Sequence, residues 1–151
     1  MKDIERIAKL VKSESTVAVA TRSPDGSPQI APLFYLADDN LRLYWFSSCS
    51  SLHSRNLRKN NAAAVTIYRS ADQWRKIRGV QMRGTVSLVT DPIRRNPISG
   101  EYADRFHLGP ALRTKILRSG LFMFRPSWAR YIDNGKQFGY RFETKLVAPH
   151  A

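Results

Sequence analysis

The chain has 151 residues, of which 42% are hydrophobic, and its 25 basic and 12 acidic residues give a net charge of +13. This length predicts a single domain over residues 1–151 that can bury a core without disulfides, and the single cysteine, Cys49, excludes an internal disulfide framework and favours a reducing compartment. Residues 1–15 are charged rather than apolar and no run approaches the roughly 18 apolar residues of a membrane span, so a cytoplasmic protein without a secretory signal is expected.

The first part of the chain predicts a helix followed by a β-hairpin. Apolar residues recur at helical spacing over residues 2–13, and hydrophobic and small residues alternate over 17–22, as in a strand. The turn sequence SPDG at 23–26 then leads into a second strand over 27–36. This strand contains two prolines, which cannot donate to a ladder, so it is expected at a sheet edge or as a bulged strand.

The next segment predicts a third strand, a short helix and a fourth strand. Residues 41–47 are rich in Leu, Tyr, Trp and Phe, as strands favour. The tight turns between the first three strands predict a three-stranded meander. Serines within 47–51 offer N-caps for a helix that extends to about Asn60, and residues 63–68 resemble a strand.

Residues 76–89 contain the clearest strand pattern of the chain. Apolar residues at 80, 82, 86 and 88 alternate with polar residues at 81, 83, 85 and 87, which indicates one buried face. Gly79 and Gly84 interrupt this pattern, and glycine inside a strand often marks a bulge, a bend or the close approach of another group. We expect a strand of a small closed barrel whose polar face can bind a ligand.

The last part of the chain predicts short helices and two more strands. Asp91 and Pro92 form a helix-start pair, and four residues then break the segment 91–118 into short helical pieces, namely Pro97, Gly100, Gly109 and Pro110. Strands are predicted over 121–132 and 138–142, separated by an Asp-Asn-Gly turn at 133–135. The predicted class is therefore mainly β (α+β), an antiparallel fold with peripheral helices.

The sequence contains few groups arranged for acid–base or metal catalysis, and no catalytic residue is identified. His53, His107 and His150 are too far apart for metal-ligand spacing, so no metal site is predicted. Paired carboxylates of the glycosidase type, G-x-G-x-x-G and Walker motifs are all missing. If the protein is an enzyme, a cofactor is expected to supply the chemistry.

The junction between the third strand and the following helix could bind an anionic group. Hydroxyl donors lie within 47–51, next to a helix start whose free N–H groups favour negative charge. His53, Arg55 and Arg58 follow within two turns and could add charge-assisted hydrogen bonds. The alternative interpretation is an ordinary N-cap followed by a solvated basic helix face.

Four segments, SPDGSPQIAPLFYL (23–36), LRLYWFSS (41–48), SRNLRKN (54–60) and IRGVQMRG (77–84), follow one another in an order that resembles the FMN-binding split barrels related to pyridoxamine 5'-phosphate oxidase. The later segment RPSWARYIDNGKQFGY (125–140) resembles the C-terminal strands of a small, little-characterised branch of these barrels. The resemblance spans nearly the whole chain. It implies an antiparallel split β-barrel with peripheral helices that functions as a flavin-dependent oxidoreductase.

The resemblance also implies a set of cofactor-binding positions. The strand that lies along the ribityl chain and flavin ring matches Gln29, Ile30, Ala31, Pro32 and Leu33, and the positions that border the phosphate match Phe46, Ser47, Ser51, Leu52 and His53. Gln81 is the candidate for a polar contact with the ring, although it could equally be an outward polar residue of a half-buried strand. In this family the flavin sits between two protomers, so a homodimer is implied.

Two departures from the family pattern bear on function. Oxidases of the family commonly carry an Arg-Lys pair where this chain has Leu52 and His53, so the phosphate grip would depend on Arg55 or on the protonation of His53. The arginine-rich C-terminal signature that holds the pyridoxal substrate is missing from LVAPHA at 146–151. A small-molecule substrate other than pyridoxamine phosphate is therefore expected.

Other ligands and functions stay open at the level of sequence. A deazaflavin coenzyme or haem could occupy the same architecture, and haem would need an axial ligand such as His53 or His107. The chain could also be a non-catalytic binding module, either a flavin or haem sensor or a basic barrel that associates with nucleic acid. Its basic residues are scattered and accompany no recognised nucleic-acid-binding motif, so a nucleic-acid partner is not favoured.

Overall fold

Eight strands, four α-helices and one short 3-10 helix make up the computed structural model, which describes residues 2–146. The strands are β1 (Thr16–Arg22), β2 (Pro28–Phe34), β3 (Leu36–Ala37), β4 (Leu43–Ser47), β5 (Ala62–Tyr68), β6 (Arg78–Leu88), β7 (Gly120–Asp133) and β8 (Arg141–Lys145). The helices are α1 (Asp3–Ser13), α2 (Leu52–Lys59), α3 (Pro92–Arg105) and α4 (Pro110–Leu117), and the 3-10 helix covers Trp74–Lys76. His150 and most of the LVAPHA segment lie outside the described residues.

The strands form one antiparallel sheet that closes on itself. Its order is β2-β1-β5-β6-β7-β4-β3, with β8 added on β7. The two ends of this order, β2 and β3, are separated in the chain by Tyr35 alone. One continuous segment therefore pairs with β1 through its first half and with β4 through its second half, which closes the barrel. The predicted antiparallel split β-barrel with peripheral helices is confirmed.

Tyr35 anchors the change of partner between β2 and β3. Its side chain is 1% exposed. Its backbone N–H donates to the carbonyl of Ser15 at 3.1 Å, and its hydroxyl donates to the carbonyl of Val11 at the end of α1. These bonds satisfy the polar groups that the break in the ladder would otherwise leave unpaired.

The barrel interior and a second cluster outside it form the core. Alternate residues of β1, β5 and β6 point inward and pack with one face of α1, including Val19, Val65 and Met82. The second cluster lies between the other side of β4 and β7 and the helix α3. Strand β4 is therefore buried on both faces.

The predicted meander holds only in part, because the predicted second strand meets β4 at Leu36 alone, and this double burial explains why. The strand β4 pairs with β7 and β3, and not with β2. Leu43 and Trp45 face the barrel interior while Tyr44 and Phe46 face the α3 side, and all four are buried. A strand with two apolar faces gains most from a position where both faces are covered. The prolines of β2, by contrast, do lie in a terminal strand of the sheet order, as predicted.

The segment 91–118 contains two helices rather than several short pieces. Helix α3 continues through Pro97 and Gly100, and the break falls after Arg105. A proline at position 97 leaves the carbonyl of Ile93 without its helical donor. Ile93 is 85% exposed, so water can hydrate that carbonyl, and the helix continues.

A bulge in β7 accounts for Gly84. The β6–β7 register shifts between Arg83 and Gly84, which leaves Ser127 as the extra residue. A Cβ atom at Gly84 would lie 2.0 Å from the carbonyl oxygen of Arg125, so any side chain would collide with the bulged strand. The predicted alternation of β6 holds for its buried positions, except that Leu88 is 42% exposed.

The strand expected over 138–142 begins later, at Arg141, because residues 134–140 form a loop that Asn134 closes by accepting from the backbone of Gly139 at 3.0 Å.

No helix within residues 2–146 is long and apolar enough to cross a membrane.

Candidate cofactor-binding site

A hydrogen-bonded cluster of two serines and a histidine lies where β4 ends and α2 begins. The Ser47 Oγ atom is 2.6 Å from His53 Nε2, and the Ser51 Oγ atom is 3.2 Å from the same nitrogen. Ser51 is also the N-cap of α2, where its side chain accepts from the N–H of Ser54 at 3.3 Å. The structure thus brings together three of the positions predicted to border a phosphate.

The start of α2 is electrostatically suited to an anion. Its first turn contains no acidic residue, although acidic residues are favoured there because they offset the helix dipole. Arg55 is exposed and takes part in none of the ion pairs within residues 2–146. Arg58 closes the preceding loop by donating to the carbonyl of Cys49 at 2.7 Å. An anion here would meet free N–H groups, hydroxyls and a positive surface.

Burial favours the uncharged form of the His53 imidazole. The side chain is 9% exposed, and this burial lowers the pKa of His53 below its usual value of 6.5. A neutral ring has one donor and one acceptor nitrogen, so Nε2 can either accept from a serine hydroxyl or donate to one. A phosphate next to the ring would favour the protonated form and raise this pKa.

A buried polar chain connects α2 to the first hairpin. The Asn56 amide donates to the Thr21 hydroxyl at 3.1 Å, and that hydroxyl is 3.3 Å from the Gln29 Oε1 atom. Asn56 is 2% exposed and Thr21 is 5% exposed. These hydrogen bonds hold α2 in a fixed position relative to β2.

An open groove of about 450 Å³ lies on the outer face of the sheet. Two rows of outward residues cross it, and the register places Pro32, Ala18, Thr66, Gln81 and Arg130 in one row and Ile30, Ala20, Ala64, Arg83 and Trp128 in the other. Small side chains form the floor on β1 and β5. A flat aromatic ring could therefore approach the sheet closely there, with the amide of Gln81 beside it.

One wall of this groove is a tryptophan between two arginines. The Arg83 guanidinium carbon lies 4.1 Å from the centre of the Trp128 ring, and that of Arg130 lies 5.3 Å from it. Arg130 is also paired with Glu143, with Nε 2.8 Å from the carboxylate. Cation–π contacts of this kind hold the indole in place.

The strand β2 divides the predicted flavin contacts between its two faces. Ile30 and Pro32 point outward to the groove and are exposed, whereas Gln29, Ala31 and Leu33 point to the interior. Contacts from the inward positions would have to come from their backbone groups. Ile30 and Gln81 line the same groove, as the resemblance implies for residues that contact the ring.

The remaining predicted positions lie apart from the serine–histidine cluster. Phe46 is buried and packs edge-on against Tyr102 at 5.0 Å between ring centres, so its side chain belongs to the core. Leu52 is 45% exposed at the first position of α2. Arg55 lies on the exposed face of α2, one turn after Ser51. Its guanidinium would have to turn toward the cluster to contact a phosphate.

Sequence reasoning missed several residues of the site. Ser54 is fully buried and accepts from the Ser51 hydroxyl at 2.7 Å, and its position three residues after the N-cap was a signal for this contact. Thr21 and Asn56 are 35 residues apart in sequence, and no local pattern connects them. Trp128 lines the groove, and no local pattern predicts that position.

Solved structures of low sequence identity share this fold. The conserved hypothetical protein Rv2991 from Mycobacterium tuberculosis matches with a TM-score of 0.77 and 21% identity, over 90% of this chain and 87% of that chain. A heme binding protein from Mycobacterium smegmatis matches with a TM-score of 0.77 and 16% identity, over 96% of this chain and 58% of that chain. An F420 reductase matches with a TM-score of 0.63 and 23% identity, over 80% and 93% of the two chains.

At these identities the similarity shows the fold alone. A comparison with curated proteins gave no match. The family model described as pyridoxamine 5'-phosphate oxidase matches residues 4–133, which covers most of the chain, from α1 to the end of β7. On this match the chain belongs to the pyridoxamine 5'-phosphate oxidase family.

Proposed function

We propose that this protein binds FMN as a homodimer and is a flavin-dependent oxidoreductase that acts on a small molecule. The observation that carries the proposal is the cluster of Ser47, Ser51 and His53 at a helix start without acidic residues. Members of the family bind flavin, haem or F420 cofactors, and the residues of this chain fit a flavin phosphate best.

The fit to a phosphate rests on the donors at the start of α2. The hydroxyls of Ser47 and Ser51 contact the histidine and lie 3.4 Å from each other, and the Ser51 hydroxyl also has acceptors at Ser54 Oγ (2.7 Å) and the Ser48 carbonyl (2.8 Å). Both can rotate to donate to a phosphate oxygen instead. The unpaired N–H groups of the first helical turn add further donors, as at other phosphate-binding helix starts.

The fit to the flavin ring rests on the groove beside Gln81. An isoalloxazine has two apolar faces and a polar edge, and the groove offers a floor of alanines with one amide at its side. Bound FMN would supply hydride or electron transfer. The side chains of the groove would orient the ring and exclude water from one of its faces. The charged side chains of the groove are those of Arg83 and Arg130, and a guanidinium group is a poor general acid or base, so the protein is expected to contribute little acid–base catalysis.

A second protomer would complete this site. Ile30 is 64% exposed beside the alanine floor, and Tyr68 and Ile77 extend the exposed apolar surface. Members of the family are commonly dimeric, and a partner subunit on this face would cover the open side of the groove. We therefore propose that the flavin lies between two copies of the chain.

Haem is less well supported by the residues of this chain. The buried His53 directs its Nε2 atom to Ser47 at 2.6 Å, so that nitrogen is already engaged. His107 is exposed, in a left-handed backbone conformation with φ of 51°. Neither histidine lines the groove beside Gln81.

The visible absorption spectrum of the purified protein tests the proposal directly. It should be recorded before and after adding FMN and removing the excess by gel filtration. A two-banded flavin spectrum that stays with the protein is the expected result. A Soret band would assign haem instead, and a colourless protein that retains no FMN would contradict the proposal and direct the search to deazaflavin or a binding module.

A further inference from the structure

A basic pocket, separate from the serine–histidine cluster and the groove, lies at the other end of the barrel from Ser47. It has a volume of about 360 Å³ and is formed by the β3–β4 turn, the bulged part of β7, the start of α1 and the end of β8. Strand β4 runs from Leu43 beside this pocket to Ser47 at the α2 end. Four residues of strand separate the two ends by roughly 13 Å, so this pocket is distinct from the proposed flavin phosphate site.

Two arginines of this pocket face each other across neighbouring strands. Leu43 pairs with Phe124 in the antiparallel register of β4 and β7, and continuing that register places Arg42 opposite Arg125. Like charges directly opposite each other destabilise a strand pair. The bulge fixes this arrangement, because the carbonyl of Arg125 packs tightly against Gly84.

Neither arginine is neutralised within residues 2–146. The Nε atoms of Arg42 and Arg125 are buried and have no hydrogen-bond partner. No ion pair of the described residues involves Arg42, Arg125 or the nearby Lys145. The one carboxylate of the pocket, Asp39, is paired with Lys12. Partly buried cations without a counter-ion are unfavourable, and a bound anion would remove that penalty.

We propose that this pocket binds a phosphate group, either inorganic phosphate or the phosphate of a small metabolite. Two guanidinium groups can each present a fork of N–H donors to an oxyanion, and Lys145 adds a third positive charge at the rim. Because Asp39 is already paired with Lys12, the positive charges of the two arginines and Lys145 are left to complement a phosphate dianion. The volume lies near the lower limit for small-molecule sites, which favours a compact ligand.

Titration calorimetry with inorganic phosphate at constant ionic strength tests this site. It should be done in the Ser47→Ala/Ser51→Ala background, which removes the cofactor cradle, so that the result does not depend on flavin binding. We expect Arg42→Gln/Arg125→Gln to weaken phosphate binding at least tenfold. The matched control Arg113→Gln/Lys115→Gln removes two exposed charges of α4 and should change the affinity less than twofold. Equal loss in the control, or retained binding in the pocket variant, would overturn the proposal.

Two single variants keep the test decisive if the double variant folds poorly. Asp39→Asn removes the carboxylate from an exposed side chain and should tighten phosphate binding, because it raises the positive charge of the pocket. Lys145→Gln changes another exposed residue and should weaken binding about threefold. If both variants bind phosphate as the parent does, the pocket is not a phosphate site.

Discussion

Ser47, Ser51 and His53 form a single hydrogen-bonded unit. Substitutions can test whether each side chain contributes to phosphate binding or only to the stability of the fold. Their spacing was visible in sequence because all three lie within seven residues at a strand–helix junction. The neutral state of His53 was not visible, since it depends on the burial of α2 against β1. The cluster therefore supports a prediction about the cofactor and another about pH.

Replacing Ser47 and Ser51 together with alanine should weaken FMN binding at least tenfold. Two hydrogen bonds to a charged phosphate contribute about 1.5–3 kcal/mol each, and 1.4 kcal/mol corresponds to a factor of ten. Riboflavin, which lacks the phosphate, should bind the variant and the parent equally. Fluorescence quenching titrations measure both affinities.

The matched control is Ser48→Ala/Ser50→Ala in the same loop, where the two exposed hydroxyls bond to each other at 2.8 Å. It should retain the FMN affinity of the parent. Thermal melts should accompany the titrations, because loss of the Ser51 cap costs about 1 kcal/mol of stability by itself. Unchanged FMN affinity in Ser47→Ala/Ser51→Ala would count against the phosphate cradle.

His53 should make the protein less stable in mild acid. Its folded-state pKa lies below the usual value of 6.5, so the unfolded chain binds more protons as the pH falls. The stability that the neutral ring provides is full above pH 6.5 and is lost progressively as the pH falls toward the lower folded-state pKa. The free energy of unfolding, measured by urea denaturation between pH 5 and 7.5, should therefore change less with pH for His53→Gln than for the parent.

The exposed His107 supplies the comparison for that measurement. His107→Asn suits the left-handed backbone at this position, where asparagine is tolerated. This variant should keep the pH dependence of the parent. The assignment to His53 would be wrong if the pH dependence of the unfolding free energy decreased equally in both variants.

At the scale of elements, alternation in sequence predicted the strands better than their partners. The alternating pattern of β6 predicted its buried face, because one face is apolar and the other is polar. The apolar strand β4 contains no such contrast, and its pairing with β7 could not be predicted from local sequence. Pro97 and Gly100 predicted breaks in helix α3, but the packing of Tyr102 against the sheet stabilises the helix through both residues.

Two glycine-to-alanine substitutions should have opposite effects on stability, one at the bulge between β6 and β7 and the other within α3. Gly84→Ala should destabilise the protein by several kcal/mol or prevent folding, since its Cβ would lie 2.0 Å from a backbone oxygen. Gly100→Ala lies within α3 with no atom within 4 Å of the new Cβ, and should stabilise it by about 0.5–1 kcal/mol. Chemical denaturation measures both, and similar stabilities would refute the close approach at Gly84.

At the scale of the whole molecule, the proposed homodimer should be held together through the outer face of the barrel. Ile30→Asp would place a charge in the centre of that apolar face, where dimerisation would desolvate it. We expect a monomer that loses flavin, measured by light scattering and by absorption after gel filtration. Ile93→Asp makes the same change at an isoleucine of α3 that is 85% exposed, and should remain dimeric with bound flavin. A dimer in both variants would place the interface elsewhere.

The pairing of β4 with β7 also has a consequence for the order of folding during synthesis. Leu43 meets its partner Phe124 about 80 residues later in the chain, whereas β1 and β2 are joined by a short hairpin. The aromatic strand β4 therefore leaves the ribosome long before the strand that covers its edge. Contacts so distant in sequence form late and leave apolar surface exposed in the meantime. We expect the nascent chain to depend on chaperones until residues 120–124 have emerged.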